Sequence, residues 1–152
     1  MHSRPVAAAR SAVVASLVLF AALSATTTLS GCAETPAPPV PLRAVPADRI
    51  VRRGYTQPGA GLVAVEVRRE RASDLIVRFR DASVYVDGER VADLMNGEYL
   101  RLYLTPGVHR LGVSTQFDPV VELPFVVDPR GTHRASVAFD AHHRITIRRV
   151  AR

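Results

Sequence analysis

Beyond Leu62 the chain alternates apolar and polar side chains with a period of two, the signature of half-buried strands. Val63, Val65 and Val67 share one face, with Ala64, Glu66 and Arg68 on the other. Leu75, Val77 and Phe79 alternate with Ile76, Arg78 and Arg80, and Val84 and Val86 continue the pattern. Asp87-Gly88 supplies the positive-φ residues of a tight hairpin, and Glu89–Leu94 answers as its return strand. Leu100, Leu102 and Leu104 alternate with Tyr99, Arg101 and Tyr103. His109, Leu111 and Val113 follow, then Val121, Leu123, Phe125 and Val127, then Ala135, Val137 and Phe139, and last Ile145 and Ile147. Turn residues separate these runs at Asn96-Gly97, Thr105-Pro106-Gly107, Asp128–Gly131 and Asp140–His143. No apolar period of 3.6 residues competes with them. The pattern predicts an all-β domain over 61–152, a small antiparallel sandwich of about seven to nine short strands.

The first 31 residues read differently. Arg4 and Arg10 precede an uncharged stretch, Ser11 to Ser30, whose apolar heart runs from Ala12 to Leu23. A basic segment followed by a short apolar one is the pattern of a secretory signal. A bilayer-spanning helix needs roughly 20 predominantly apolar residues, and this run fades earlier into Ala25-Thr26-Thr27-Thr28. Next comes Leu29-Ser30-Gly31-Cys32, which resembles the lipobox of bacterial lipoproteins. The resemblance implies diacylation of the Cys32 thiol and cleavage after Gly31. It places the protein in a bacterial envelope, held to the membrane by lipid. Ala33 follows the cysteine instead of Asp, which by the same resemblance favours the outer membrane, facing the periplasm. Two acyl chains suffice for stable anchoring without a spanning segment.

Cleavage leaves 121 of the 152 residues. Arg4 and Arg10 leave with the signal and none of the 14 acids does, so the formal charge falls from +6 to +4. Residues 32–60 form the lipidated cysteine and a tether. Pro36, Pro38, Pro39, Pro41 and Pro46 exclude helix and inner strand there and favour extended polyproline II. Cys32 is the single cysteine, so no intramolecular disulfide, CxxC pair or cysteine-rich zinc site exists. Every one of the 20 basic residues is Arg. The export signal and the lack of a basic stripe interleaved with stacking aromatics argue against a nucleic-acid partner.

The order Val84-Tyr85-Val86-Asp87-Gly88, Val91-Ala92-Asp93-Leu94, Asn96-Gly97-Glu98-Tyr99 and Pro106-Gly107-Val108-His109-Arg110-Leu111 resembles the bacterial lipoprotein family labelled domain of unknown function 2846. The resemblance covers about Gly61 to Val150, with a strand ending in Arg68-Arg69 at its start. A weaker likeness links the same cadence to PEGA-type surface modules. The family resemblance implies a β-sandwich with no known catalytic activity, and it carries over no functional residue.

Chemical motifs are sparse. No GxSxG serine, no GxxxxGK[ST] or GxGxxG phosphate loop and no cofactor fingerprint occurs. His133, His142 and His143 are candidate metal ligands if they converge. Adjacent strand residues point to opposite faces, so only one of the last pair joins His133 readily. His109 follows Pro-Gly and is expected to hydrogen-bond at a strand start. Tyr99, Arg101 and Tyr103 share a strand face and form the candidate binding surface. The resulting expectation is a non-enzymatic envelope lipoprotein serving in binding or assembly. Its partners would be the membrane, through the lipid, and another envelope protein or a cell-wall component. The alternative is a small-ligand or metal carrier using the C-terminal histidines.

Overall fold

A computed structural model describes residues 40–151, in which the alternation closes into two facing sheets. Nine strands are found among the described residues: β1 (Arg43–Ala44), β2 (Val63–Arg69), β3 (Ala82–Val86), β4 (Glu89–Leu94), β5 (Glu98–Leu104), β6 (Gly107–Ser114), β7 (Val121–Val127), β8 (His133–Phe139) and β9 (Ile145–Arg149). One sheet has the order β1-β5-β2-β8-β9 and the other β4-β3-β6-β7. The inward-facing Val65, Val67, Leu102 and Val137 of the first meet Val84, Val86, Leu111, Val113 and Phe125 of the second, all fully buried. Each such side chain contributes about 1.5–3 kcal/mol relative to exposure. The fold is thus the expected all-β sandwich, with one refinement. Most pairings are antiparallel, but β1 runs parallel to β5, and β2 parallel to β8.

The turns divide the labour. Asp87 (φ 50°) and Gly88 (φ 88°) make the hairpin between β3 and β4. The Asn96-Gly97 and Thr105–Gly107 turns and the Asp128–Gly131 turn instead carry the chain from one sheet to the other. Gly97 has φ 74°, and a Cβ there would meet the Arg71 guanidinium at 2.7 Å, so two constraints hold that position to glycine.

Two sequence expectations need correction. Leu75–Arg78 is not a strand but a single helical turn, α1, and of its residues only Val77 is buried. Asp74 caps it, accepting hydrogen bonds from the Ile76 and Val77 amides at 2.8 and 3.1 Å. That local cap defeats a strand whose outward partners would have been Ile76 and two arginines. Secondly, the sandwich begins before residue 61. Val45 is buried, Ile50 and Tyr55 pack on the core, and the Val51 and Arg52 amides bond the Val91 carbonyl. Residues 45–56 therefore cover the seam between β4 and β5. The opposite seam is closed by Arg149 of β9, which lies 4.2 Å from the Phe125 ring centre and donates to the Val126 carbonyl of β7. The expected signal segment 1–31, Cys32 and the chain up to residue 39 lie outside the described residues.

Strand directions give the sandwich two poles. At the near pole the chain joins the domain: Arg71 donates to the Pro41 carbonyl and the Arg43 amide to the Gly97 carbonyl, both at 3.0 Å. The α1 connection, the β4–β5 turn, the β6–β7 loop and the β8–β9 turn lie here. The β3–β4 hairpin, the β5–β6 turn and the β7–β8 turn form the far pole.

Arg69, the last residue of β2, organises the near pole from inside. Its side chain is fully buried, and its guanidinium donates to the carbonyls of Val77 (2.7 Å), Leu94 (2.8 Å) and Arg80. The Phe139 ring centre lies 5.2 Å from it. Burial pushes its pKa down to about 10, which leaves it charged at neutral pH. Replacing it with Met would remove three buried hydrogen bonds to carbonyls, of which Val77's keeps its backbone donors, the Arg80 and Phe79 amides. Arg69→Met is expected to cost about 3–5 kcal/mol in urea-induced unfolding, against about 1 kcal/mol or less for Arg68→Met on the outer face.

Candidate functional site

The outward face of the first sheet gathers the residues that the strand period singles out. Tyr99, Arg101 and Tyr103 on β5 lie opposite Arg68, Glu66 and Ala64 on β2. On the other side of β2, Glu66 lies opposite Arg134 of β8. Glu66 is therefore a carboxylate among three guanidiniums. Arg68 bonds it directly, and Arg101 and Arg134 each approach to 3.5 Å. One negative charge faces three positive ones, and Arg101 keeps more than half of its side chain in solvent. The neighbouring Glu70 is already engaged by Arg148 at 2.6 Å and by the Ser136 hydroxyl.

Two hollows flank this hub. Small Ala64 leaves a recess of about 190 Å³ bounded by Tyr103, Arg101 and Arg134. Toward the near pole, Leu42, Arg68 and Tyr99 bound another of about 250 Å³. Such an arrangement offers bidentate donors to a carboxylate or phosphate, with tyrosine rings to pack beside it. The register brings Tyr99, Arg101 and Tyr103 together as expected. The Glu66 hub was not anticipated, because it requires the neighbours β2, β5 and β8, and the parallel β2–β8 pairing has no local sequence signal.

Tyr103 also borders a groove of about 510 Å³ at the far pole, with Tyr55, Leu62, Leu104, Asp87 and His109. His109 Nδ1 lies 2.7 Å from an Asp87 carboxylate oxygen, and its Nε2 lies 2.9 Å from the Thr105 carbonyl. The other Asp87 oxygen accepts from the Arg110 amide at 2.8 Å. Burial works against the imidazolium, but the bonds to Asp87 and Thr105 outweigh it and raise the His109 pKa. Burial likewise opposes the Asp87 carboxylate, but His109 and the Arg110 amide hold its pKa below the ordinary value. The pair ties the β3–β4 hairpin to the β5–β6 turn. In the imidazolium form both ring nitrogens donate, to Asp87 and to Thr105, and that form has no lone pair free to take a proton. The Thr105 hydroxyl stands 3.5 Å from Nε2, a longer contact than that of the Thr105 carbonyl. His109 does hydrogen-bond at a strand start, but its partner Asp87 is visible only once two turns distant in sequence share a pole.

The other histidines do not converge. His133 is not an exposed turn residue. It is buried at the start of β8, its Nε2 2.6 Å from the Asp128 carbonyl oxygen and 3.0 Å from the Asp128 amide nitrogen. Its ring meets Phe125 edge to face at 6.0 Å. His142 and His143 lie beyond the other end of β8, about 20 Å away along a seven-residue strand. His143 has φ 61° and approaches Asp74 at 3.4 Å. Among the described residues no group of three His, Cys, Asp or Glu could hold a metal ion. Nor is any helix there long and apolar enough to cross a membrane. Cys32 and the preceding Leu29, Ser30 and Gly31 lie outside the described residues.

No protein-family model, no curated protein and no solved structure matches the chain.

The raised His109 pKa has a consequence for stability. The imidazolium's contribution is complete below the ordinary value of 6.5 and fades as pH rises through the higher folded-state value. Unfolding midpoints measured from about pH 5.5 to 8.5 should therefore fall more steeply in the wild type than in His109→Gln. The two curves should converge at the alkaline end.

Proposed function

We propose that this chain is a bacterial envelope lipoprotein, acylated at Cys32, whose sandwich acts as a non-enzymatic binding module. The Leu29–Cys32 segment supports the anchor, since the single cysteine stands where a lipobox requires it. The likeness to the lipoprotein family of unknown function supports the same placement, and Ala33 favours the outer membrane. Binding is carried by one observation: three guanidiniums converge on Glu66 in a face bordered by Tyr99 and Tyr103. That face suits a partner bearing carboxylate or phosphate groups, either an acidic segment of another envelope protein or an anionic cell-wall component. Glu66 keeps the arginines aligned when no ligand is bound, and an incoming anion would take over their free donors. The engagement of both His109 nitrogens supports a structural role for the far-pole ion pair over a catalytic one.

Labelled palmitate should enter the wild type and not Cys32→Ser, and equal labelling of both would remove the anchor. For the face, crosslinking in intact envelopes should yield one dominant adduct. The double substitution Arg101→Glu and Arg134→Glu should reduce it at least about tenfold, because reversal turns a desolvated attraction into repulsion. An unchanged adduct would place the partner elsewhere on the molecule.

A further inference from the structure

The α1 connection carries more exposed apolar surface than any other short segment among the described residues. Leu75, Ile76 and Phe79 are 66%, 57% and 74% exposed. Phe117, from the adjoining β6–β7 loop, is 67% exposed. The two segments are joined by Arg80, whose guanidinium lies 4.9 Å from the Phe117 ring centre and 3.9 Å from Asp118. Arg80 also donates to the His143 carbonyl at 2.8 Å. This is a supported projection, since buried Val77, the Asp74 cap and the Arg69 donors to Val77 and Arg80 fix its backbone. Three of its acids are committed, Asp74 to the cap and His143, Asp118 to Thr115 and Arg80, and Asp140 to its own turn and Arg144, whereas Asp81 beside Arg80 is exposed. Arg78 stands between Ile76 and Phe79, exposed and without an ion pair among the described residues.

The position of the projection identifies what covers it. It occupies the near pole, where Arg71 binds the Pro41 carbonyl. Only eight residues, nine steps along the chain, lie between Cys32 and Pro41. Even fully extended they reach about 28 Å. The far pole lies another seven-residue strand, about 20 Å, beyond. We infer that Leu75, Ile76, Phe79 and Phe117 form a membrane-contact tip that seats the near pole on the surface of the lipid bilayer. Large apolar side chains insert at the headgroup boundary, Arg78 lies level with the phosphates, and the short tether keeps the effective concentration high. The far-pole groove then faces away from the membrane. The inference rests on the proposed lipid anchor for this orientation, whereas the contact itself belongs to the side chains of the tip.

The test uses the full chain with phosphatidylethanolamine–phosphatidylglycerol vesicles carrying nitroxide-labelled lipid. An environment-sensitive fluorophore is placed at Arg78→Cys in one sample and at Val108→Cys, near the far pole, in another. Acylation blocks Cys32 in this background, and the same pair is made with Cys32→Ser. Emission at position 78 should shift to the blue and be quenched by the nitroxides, while emission at position 108 should not. Adding Leu75→Ser and Ile76→Ser, both at exposed sites, should lower vesicle partitioning of the Cys32→Ser protein roughly 10–100-fold. Flotation of the acylated but not the Cys32→Ser protein reads the anchor separately. Quenching at 78 in both backgrounds upholds the tip even if flotation shows no anchor. Equal signals at 78 and 108 with vesicles would overturn it. So would a blue shift at 78 that grows with protein concentration in the absence of lipid, since that would assign the tip to a second copy of the chain.

Discussion

A charged guanidinium inside an apolar sandwich must find acceptors or be expelled, and Arg69 meets that demand with backbone alone. No carboxylate among the described residues pairs with it directly. Its partners are carbonyls at the end of α1, in the chain just after it, and at the end of β4. Three carbonyls take the two terminal nitrogens of the guanidinium, while its Nε stays buried without a partner among the described residues. One side chain thereby fixes where the chain leaves the first sheet, how it enters the second and where β4 stops. The near pole is built around that arrangement.

The rest of the architecture follows from closing a two-layer stack. Each sheet ends in an edge, and the edges are covered in different ways. On one side, residues 45–56 pack along the seam between β4 and β5, and Arg49 reaches Glu98 at 2.5 Å and the Asp93 carbonyl at 3.2 Å. Burial works against the Glu98 carboxylate, but Arg49 and the Met95 amide more than offset it and lower its pKa. On the other side, Arg149 spans from β9 to β7. Arginine recurs at these structural points as well as on the Glu66 face, because a flat fork of donors serves carbonyls, carboxylates and aromatic rings alike. The absence of lysine therefore does not by itself mark a ligand site. What distinguishes the Glu66 face is that its three cations share one anion and remain partly in solvent.

The two poles differ in chemistry, and the difference comes from which turns the topology places together. The far pole pairs a hairpin aspartate with a histidine beside another turn, producing a locked ion pair in a groove walled by tyrosine and leucine. The near pole gathers a capped apolar turn, an exposed phenylalanine and the point where the tether arrives. The Tyr–Arg face runs along the strands between them.

Much of this is legible in the chain. Period-two alternation marks seven of the nine strands, because burying one face of a strand leaves a sequence imprint at every second residue, and β4 follows from its hairpin turn. Asp87-Gly88 marks its hairpin because few other residues tolerate two positive φ values in succession. The shared face of Tyr99, Arg101 and Tyr103 follows from the pleat. Leu75–Phe79 misleads, since its alternation matches a strand while Asp74 supplies a helix cap that an alternation count does not weigh. The proline-rich stretch misleads in a related way: prolines forbid inner strands, yet a two-residue edge strand and packed 3-10 turns accommodate them within residues 43–56. Tertiary structure alone decided the parallel contact of β2 with β8, and with it the Glu66 hub. It alone joined Asp87 to His109 and buried His133 against Phe125. Those relations depend on which strands become neighbours, and strand order is set by packing two whole sheets together, a long-range condition that no local pattern records.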